Sequence, residues 1–148
     1  MNQLNVSICI KTNILAIILT KGGTLLNKDV VQIKDEEITN SVYLSLLYGI
    51  KKALLQVRSH IENTPETDTV IFEINNTTVM NWIKNCYSKE AYQDSFIEVM
   101  SLLNEIPMRY TFVATNRPRA YRYADKKYIT KKLKLSSLDS IEIDEEEN

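Results

Sequence analysis

The chain has 148 residues and a mass of 17.1 kDa, with 44% apolar and 25% charged residues and a formal net charge of −1. This length suits one domain with a proper core, and the composition excludes disorder throughout. Two cysteines and one histidine exclude a disulfide scaffold, a zinc finger and a His-based catalytic triad. No segment approaches the ~20 uninterrupted apolar residues of a membrane span, and the N-terminus lacks a signal-peptide pattern, so we expect a cytoplasmic protein without membrane contact.

Charge is distributed unevenly along the chain. Residues 109–134 contain nine lysines and arginines against one acid, which gives a net charge of +8. The last eight residues hold five acids and no base, so the first 140 residues carry +4. We therefore divide the chain into one domain, residues 1–134, and an acidic tail, residues 135–148, that we expect to be disordered. Alternatively, this tail mimics nucleic acid and folds over the basic segment, or recruits a basic partner.

The pattern of residues 5–33 predicts three strands in an antiparallel meander. Apolar and polar side chains alternate over residues 6–11, which is typical of a half-buried strand. Residues 14–19 form a continuous apolar run, typical of a more buried strand. Two adjacent glycines then favour a tight turn into a more polar third strand, residues 24–33.

A long helix is predicted next, because apolar residues recur at spacings of three and four up to Ile61. Residues 70–74 form a short apolar fourth strand. Since a helical crossover leads to it, we expect parallel pairing with the first strand. Two shorter helices, a fifth strand at residues 108–113 and a final helix that Pro118 opens complete the order βββαβαα(β)α.

Three stretches in this order resemble the ribonuclease H-like superfamily, over residues 5–133. Residues 43–54 (YLSLLYGIKKAL) are similar to the first long helix of that family. Residues 70–83 (VIFEINNTTVMNWI) are similar to its fourth strand and next helix, and residues 112–125 (FVATNRPRAYRYAD) to its fifth strand, loop and last helix. The resemblance implies an α/β fold with a five-stranded mixed sheet, three antiparallel strands followed by parallel strands, flanked by helices.

The same resemblance implies an activity, the hydrolysis of nucleic-acid phosphodiesters with two Mg²⁺ ions that about four acidic side chains hold. Lys11 stands where the first strand should present an aspartate. Val42 or Tyr43 stands where the first long helix should present a glutamate, depending on the alignment. Asn75 replaces the aspartate after the fourth strand, and Asp125 alone is kept, in the last helix.

One carboxylate and one amide cannot hold two magnesium ions, and the ammonium group of Lys11 repels a cation placed beside it. We therefore predict no catalytic residue, no metal and no cofactor. The alternative is a relocated metal site that uses Glu73, Glu36, Glu37 or Asp125. Because side chains alternate along a strand, we expect Glu73 on the opposite sheet face from its apolar neighbours.

The basic segment, residues 109–134, is a candidate contact for nucleic acid. Arginines bind phosphate in bidentate geometry, and the tyrosines between them can stack on bases. The candidate binding residues are Arg117, Arg119, Arg122, Lys126 and Lys127. The alternative is a solvated helix face whose tyrosines pack into the core, which the seven-residue spacing of Tyr121 and Tyr128 favours for those two.

Three functional hypotheses remain open. The first is a catalytically inactive ribonuclease H-like binding module, an accessory or regulatory subunit that contacts nucleic acid, an unidentified protein partner or both. The second is a divalent-metal-dependent nuclease with a degenerate or relocated site. The third is a protein-only adaptor that uses a sheet edge or the acidic tail. The frequent Asn, Ile and Lys residues favour a viral or mobile-element source, and we expect Cys9 and Cys86 to be buried thiols.

Overall fold

The computed structural model describes residues 2–64 and 66–141, with side chains up to residue 134. Within them lies a five-stranded sheet of order β3-β2-β1-β4-β5. Its strands are β1 (Gln3–Lys11), β2 (Ile14–Lys21), β3 (Thr24–Gln32), β4 (Thr69–Ile74) and β5 (Arg109–Ala114). The first three pair antiparallel, whereas β4 pairs in parallel with both β1 and β5. The predicted mixed sheet is confirmed.

Helices flank this sheet, and most of them were expected from the apolar spacing. They are α1 (Glu36–Thr39), α2 (Val42–Asn63), α3 (Thr77–Asn85), α4 (Gln93–Leu103) and α5 (Tyr121–Ile141). The sequence does not predict α1, a single turn that the side chain of Asp35 caps. The final helix α5 continues through the proposed domain boundary after residue 134, and residues 142–148 of the acidic tail lie outside the described residues. No helix in the described ranges is long and apolar enough to cross a bilayer.

The sheet separates two layers of different composition. On one face, fully buried side chains such as Ile8 and Phe72 pack with α2, α3 and α4 into the main core. On the other face a smaller cluster packs against α5, with Cys9 on the sheet, Ala120 just before the helix and Ala124 within it, all fully buried. Two alanines allow the backbone of α5 to lie close to β1 and β2. The start of α5 is therefore positioned directly above the central strand.

The two cysteines have different environments. Cys9 is fully buried under α5, and burial raises the pKa of its thiol to about 12. Cys86 is exposed, so the prediction that both thiols are buried is wrong for this residue. It ends α3 with a left-handed backbone of φ 53°, a conformation in which the chain turns away from the helix and leaves the side chain in solvent.

Candidate functional site

The end of β1 and the first turns of α5 meet where the sequence places the metal positions. Nζ of Lys11 lies 2.9 Å from Oδ1 of Asp125 and 3.4 Å from the hydroxyl oxygen of Tyr121. The same ammonium group lies 5.3 Å from the ring centroid of Tyr121 and 5.5 Å from that of Tyr128. The hydrogen bond to Asp125 is the largest of the causes that raise the pKa of Lys11. The one carboxylate kept from the family pattern is therefore bound by a lysine that is cationic at neutral pH.

Asn75 directly follows β4 and lies beside the end of β1. Its amide nitrogen donates a hydrogen bond to the backbone carbonyl of Ile10 at 3.3 Å. The adjacent Asn76 has a different role, because its side chain accepts a hydrogen bond from the backbone of Val79 at 2.9 Å and caps α3. Asn75 thus joins the ends of two parallel strands and supplies no negative charge.

The two candidates for the helix position supply no carboxylate either. Tyr43 packs among aromatic rings on the main-core face, with its centroid 5.3 Å from Trp82 and 5.4 Å from Tyr92. Val42 is the first residue of α2 and its exposed fraction is 53%. At either alignment, an apolar or aromatic side chain occupies this position.

The sequence analysis does not predict a polar cluster that lies at the start of α5. Oγ of Ser7 accepts a hydrogen bond from the backbone nitrogen of Ala120 at 2.8 Å and donates one to Oε1 of Glu73 at 2.9 Å. The same carboxylate oxygen accepts from the backbone nitrogen of Arg119 at 2.7 Å. A carboxylate near a helix N-terminus interacts favourably with the helix dipole. Side chains of β1 and β4 therefore cap the start of α5. The available signal was the charge of Glu73 within an otherwise apolar strand.

All five predicted nucleic-acid-binding residues lie on α5 or just before it, and they line two grooves. The first groove borders Asp125 and includes Arg117, Arg119, Arg122 and Lys126. The second lies between α5 and β3 and includes Arg122, Lys126 and Lys127. Arg119 is also bound to the sheet, because its Nη1 donates to Oγ1 of Thr20 at 3.0 Å. The sequence places these residues on one element but does not separate the two grooves.

The tyrosines of α5 divide in a similar way. Tyr121 and Tyr128 face the sheet and Lys11, as their spacing indicates. Tyr123 faces β3, where Lys28 and Arg122 lie 5.5 Å and 5.1 Å from its ring centroid. Arg122 also donates a hydrogen bond to the phenol oxygen at 3.2 Å, and this contact is the largest cause that lowers the pKa of Tyr123.

No protein-family model and no curated protein sequence matches this chain. Solved structures do match it. LC11-RNase H1 in complex with an RNA/DNA hybrid, an enzyme isolated from compost by a metagenomic approach, gives a TM-score of 0.65 at 14% identity over 85% of this chain and 92% of that chain. RNase H1 from Halobacterium salinarum gives 0.57 at 10% identity, over 84% and 92%. The N-terminal RNase H domain of Rv2228c from Mycobacterium tuberculosis gives 0.58 at 9% identity, over 84% and 94%.

The chain has the ribonuclease H-like fold. The predicted fold resemblance is therefore confirmed, and identities of this size establish the fold alone.

The donor set of this ribonuclease H-like chain does not fit the two magnesium ions of the family. Among the described residues there is no group of three or more His, Cys, Asp or Glu side chains that could hold a metal ion. Proteins bind Mg²⁺ through free carboxylates, with water and substrate oxygens completing the coordination. Here the carboxylate of Asp125 is already neutralised by Lys11 at 2.9 Å, and the ammonium group repels any further cation.

The alternative, a relocated metal site, would need carboxylates that lie close together, and the structure does not bring Glu73 and Asp125 together. Glu73 is hydrogen-bonded to Ser7, which precedes Lys11 by four residues on β1. At ~3.3 Å per residue, this separation is about 13 Å along the strand from the Lys11–Asp125 pair. Glu36 and Glu37 are exposed on α1. The prediction that Glu73 lies on the sheet face opposite its apolar neighbours is confirmed, and its carboxylate is used for capping α5.

Proposed function

We propose that this chain is a catalytically inactive ribonuclease H-like module that binds nucleic acid without cutting it and acts as an accessory or regulatory subunit. The observation that carries the proposal is the 2.9 Å contact between Nζ of Lys11 and Oδ1 of Asp125. The ammonium group of Lys11 thus lies where the family resemblance implies a divalent metal ion. The retained carboxylate of Asp125 instead links α5 to β1 through its ion pair with Lys11.

The charge distribution supports the binding half of the proposal. Residues 109–134 carry a net charge of +8, and the structure gathers most of these side chains around α5. Arginine and lysine groups on one surface neutralise phosphates and release counterions, which drives association with nucleic acid of any sequence. The similar LC11-RNase H1 structure contains an RNA/DNA hybrid. A cytoplasmic viral or mobile-element source, which the composition favours, is part of the same proposal.

Two assays on the full chain test the two halves separately. Labelled RNA/DNA hybrid and single strands are incubated with the chain in Mg²⁺ or Mn²⁺, and cleavage is compared with that of the Asp125→Asn variant. We expect no cleavage above background from either protein. Cleavage by the wild-type chain that disappears in Asp125→Asn would overturn the inactivity.

Binding is measured on the same nucleic acids by electrophoretic shift. We expect a complex whose affinity falls steeply with salt, because bound phosphates release their counterions. A chain that shifts none of these nucleic acids at low salt would overturn the binding half, and the protein-only adaptor would then be the better hypothesis.

A further inference from the structure

We propose that the phosphate backbone of the bound strand follows the groove between α5 and β3 and does not cross the degenerate centre at the end of β1. This inference rests on the proposed function and names the surface that performs it. The α5–β3 groove is lined by six cationic side chains, Lys28, Arg122, Lys126, Lys127, Lys131 and Lys134. Three of them, Lys28, Lys131 and Lys134, are not among the binding residues that the sequence suggests.

Among the residues that the structure describes, no neighbouring acid compensates the positive charge of the α5–β3 groove. No acidic side chain is among its lining residues. Asp125 is bound to Lys11, and Asp29, the neighbour of Lys28 in β3, faces the opposite side of the sheet and accepts a hydrogen bond from Gln56 of α2. Within the described part of the chain, none of the six cations forms a salt bridge. A polyanion can therefore bind here without breaking an ion pair.

The spacing of these cations suits a continuous strand. Lys127, Lys131 and Lys134 recur at positions i, i+4 and i+7, so they share one face of α5. From Arg122 to Lys134 the helix rises about 18 Å, at ~1.5 Å per residue. A row of this length can contact several consecutive phosphates of one strand. Lys28 supplies positive charge from the opposite wall.

Tyr123 holds two of the cations in place before any ligand arrives. Its ring contacts Lys28 from β3 and Arg122 from α5, at 5.5 Å and 5.1 Å from the centroid. Arg122 is further fixed by its hydrogen bond to the phenol oxygen at 3.2 Å. Side chains that are already ordered lose less conformational entropy on binding. The groove is thus better prepared for phosphate than a row of free surface lysines.

The groove beside the degenerate centre is less suited to a polyanion. It contains the carboxylate of Asp125, whose charge is balanced by Lys11, and it is lined by four cationic side chains against six in the α5–β3 groove. Its smaller excess of positive charge favours the path along β3.

The test compares three variants of the full chain, each checked for folding by circular dichroism. The groove variant combines Lys28→Ala, Lys127→Ala and Lys134→Ala. These three residues are exposed, and they line the α5–β3 groove but not the groove beside Asp125. The control variant removes three exposed cations from other surfaces, with Arg58→Ala, Lys84→Ala and Lys89→Ala. The centre variant combines Arg117→Ala and Arg119→Ala. Fluorescence anisotropy with a labelled single strand and a labelled RNA/DNA hybrid gives Kd over a range of salt.

We expect the groove variant to lose about tenfold or more in affinity at low salt and its salt slope to fall by about 2 to 3, one for each lost phosphate contact. The control and centre variants should stay within about twofold of wild type. Normal binding by the groove variant together with loss in the centre variant would overturn the groove and leave the proposed function intact. An equal loss in the control variant would show a response to net charge alone and would also overturn the groove. Absence of binding by the wild-type chain would overturn the proposed function itself.

Discussion

Removal of one hydroxyl group should loosen the helix that carries the cationic surface. In Ser7→Ala, the backbone N–H of Ala120 loses the acceptor that lies 2.8 Å away, and Glu73 loses one of its donors. Ser7 is 4% exposed and Ala120 is 0% exposed, so water does not readily replace this acceptor. A buried N–H without a partner costs about 1–3 kcal/mol, and the lost hydrogen bond to a charged group adds to it. We expect a destabilisation of about 2–3 kcal/mol.

A matched control is present in the same chain. Ser45 is 1% exposed, and its hydroxyl donates to the carbonyl of Ile38 at 3.0 Å. That carbonyl also accepts from the backbone nitrogen of Ser41 at 3.2 Å, so Ser45→Ala leaves no polar group without a partner. Its cost should be about 1 kcal/mol or less, because one ordinary hydrogen bond is lost and alanine is the better helix former.

Thermal unfolding followed by circular dichroism measures both variants. For a chain of this size, about 2–3 kcal/mol corresponds to a fall in Tm of about 5–10 °C. Hydrogen exchange should also become faster in the first turn of α5, since the amide of Ala120 is no longer protected. If Ser7→Ala were no more destabilising than Ser45→Ala, the capping of α5 from the sheet would be refuted.

Other measurements test separate features of the structure. At pH 8 a thiol reagent should label Cys86 but not Cys9 in the folded chain and both in urea; labelling of two thiols in the native state would contradict the burial of Cys9. Burial raises the pKa of the Cys9 thiol to about 12 in the folded chain, against 9.0 for an exposed thiol, so this residue stabilises the fold below pH 9. The contribution should be lost as pH rises from 9 toward 12, as urea midpoints at several pH values will show. Arg122→Ala should raise the pKa of Tyr123 toward its ordinary value, a change that tyrosine ring signals in NMR detect and whose absence would exclude the hydrogen bond. Truncation after Ile141 removes five negative charges, so nucleic acid should bind several-fold more tightly; weaker binding would show that the acidic residues assist the contact.

The sequence alone predicts much of the fold because the signals are local. Alternation of apolar and polar residues over β1 places Lys11 on the same face as Cys9, and this face is the one that α5 covers. The same period predicts the face of Glu73 in β4. The loss of carboxylates at the metal positions can be read directly from Lys11 and Asn75. These inferences require only the strand period and an alignment of motifs.

The remaining features depend on register and on contacts between distant residues. The cap of α5 exists because parallel pairing of β1 and β4 sets Ser7 opposite Glu73, and a sequence pattern does not specify that register. Lys28 lies almost a hundred residues before the other cations of the α5–β3 groove, so charge counting along the chain misses it. The exposure of Cys86 follows from a left-handed helix end, a backbone conformation that the sequence pattern does not predict.

The occupancy of the family's metal position by a lysine is tested most directly by Mn²⁺ titration of the isotope-labelled chain. Paramagnetic broadening of amide signals reports a bound Mn²⁺ ion by its proximity, whatever the substrate. We predict that added Mn²⁺ leaves the signals of Lys11, Asn75 and Asp125 unbroadened, since Lys11 neutralises the carboxylate of Asp125 at 2.9 Å and its ammonium group repels a second cation. Selective broadening of these three residues at low Mn²⁺ concentration, lost in Asp125→Asn, would contradict the account.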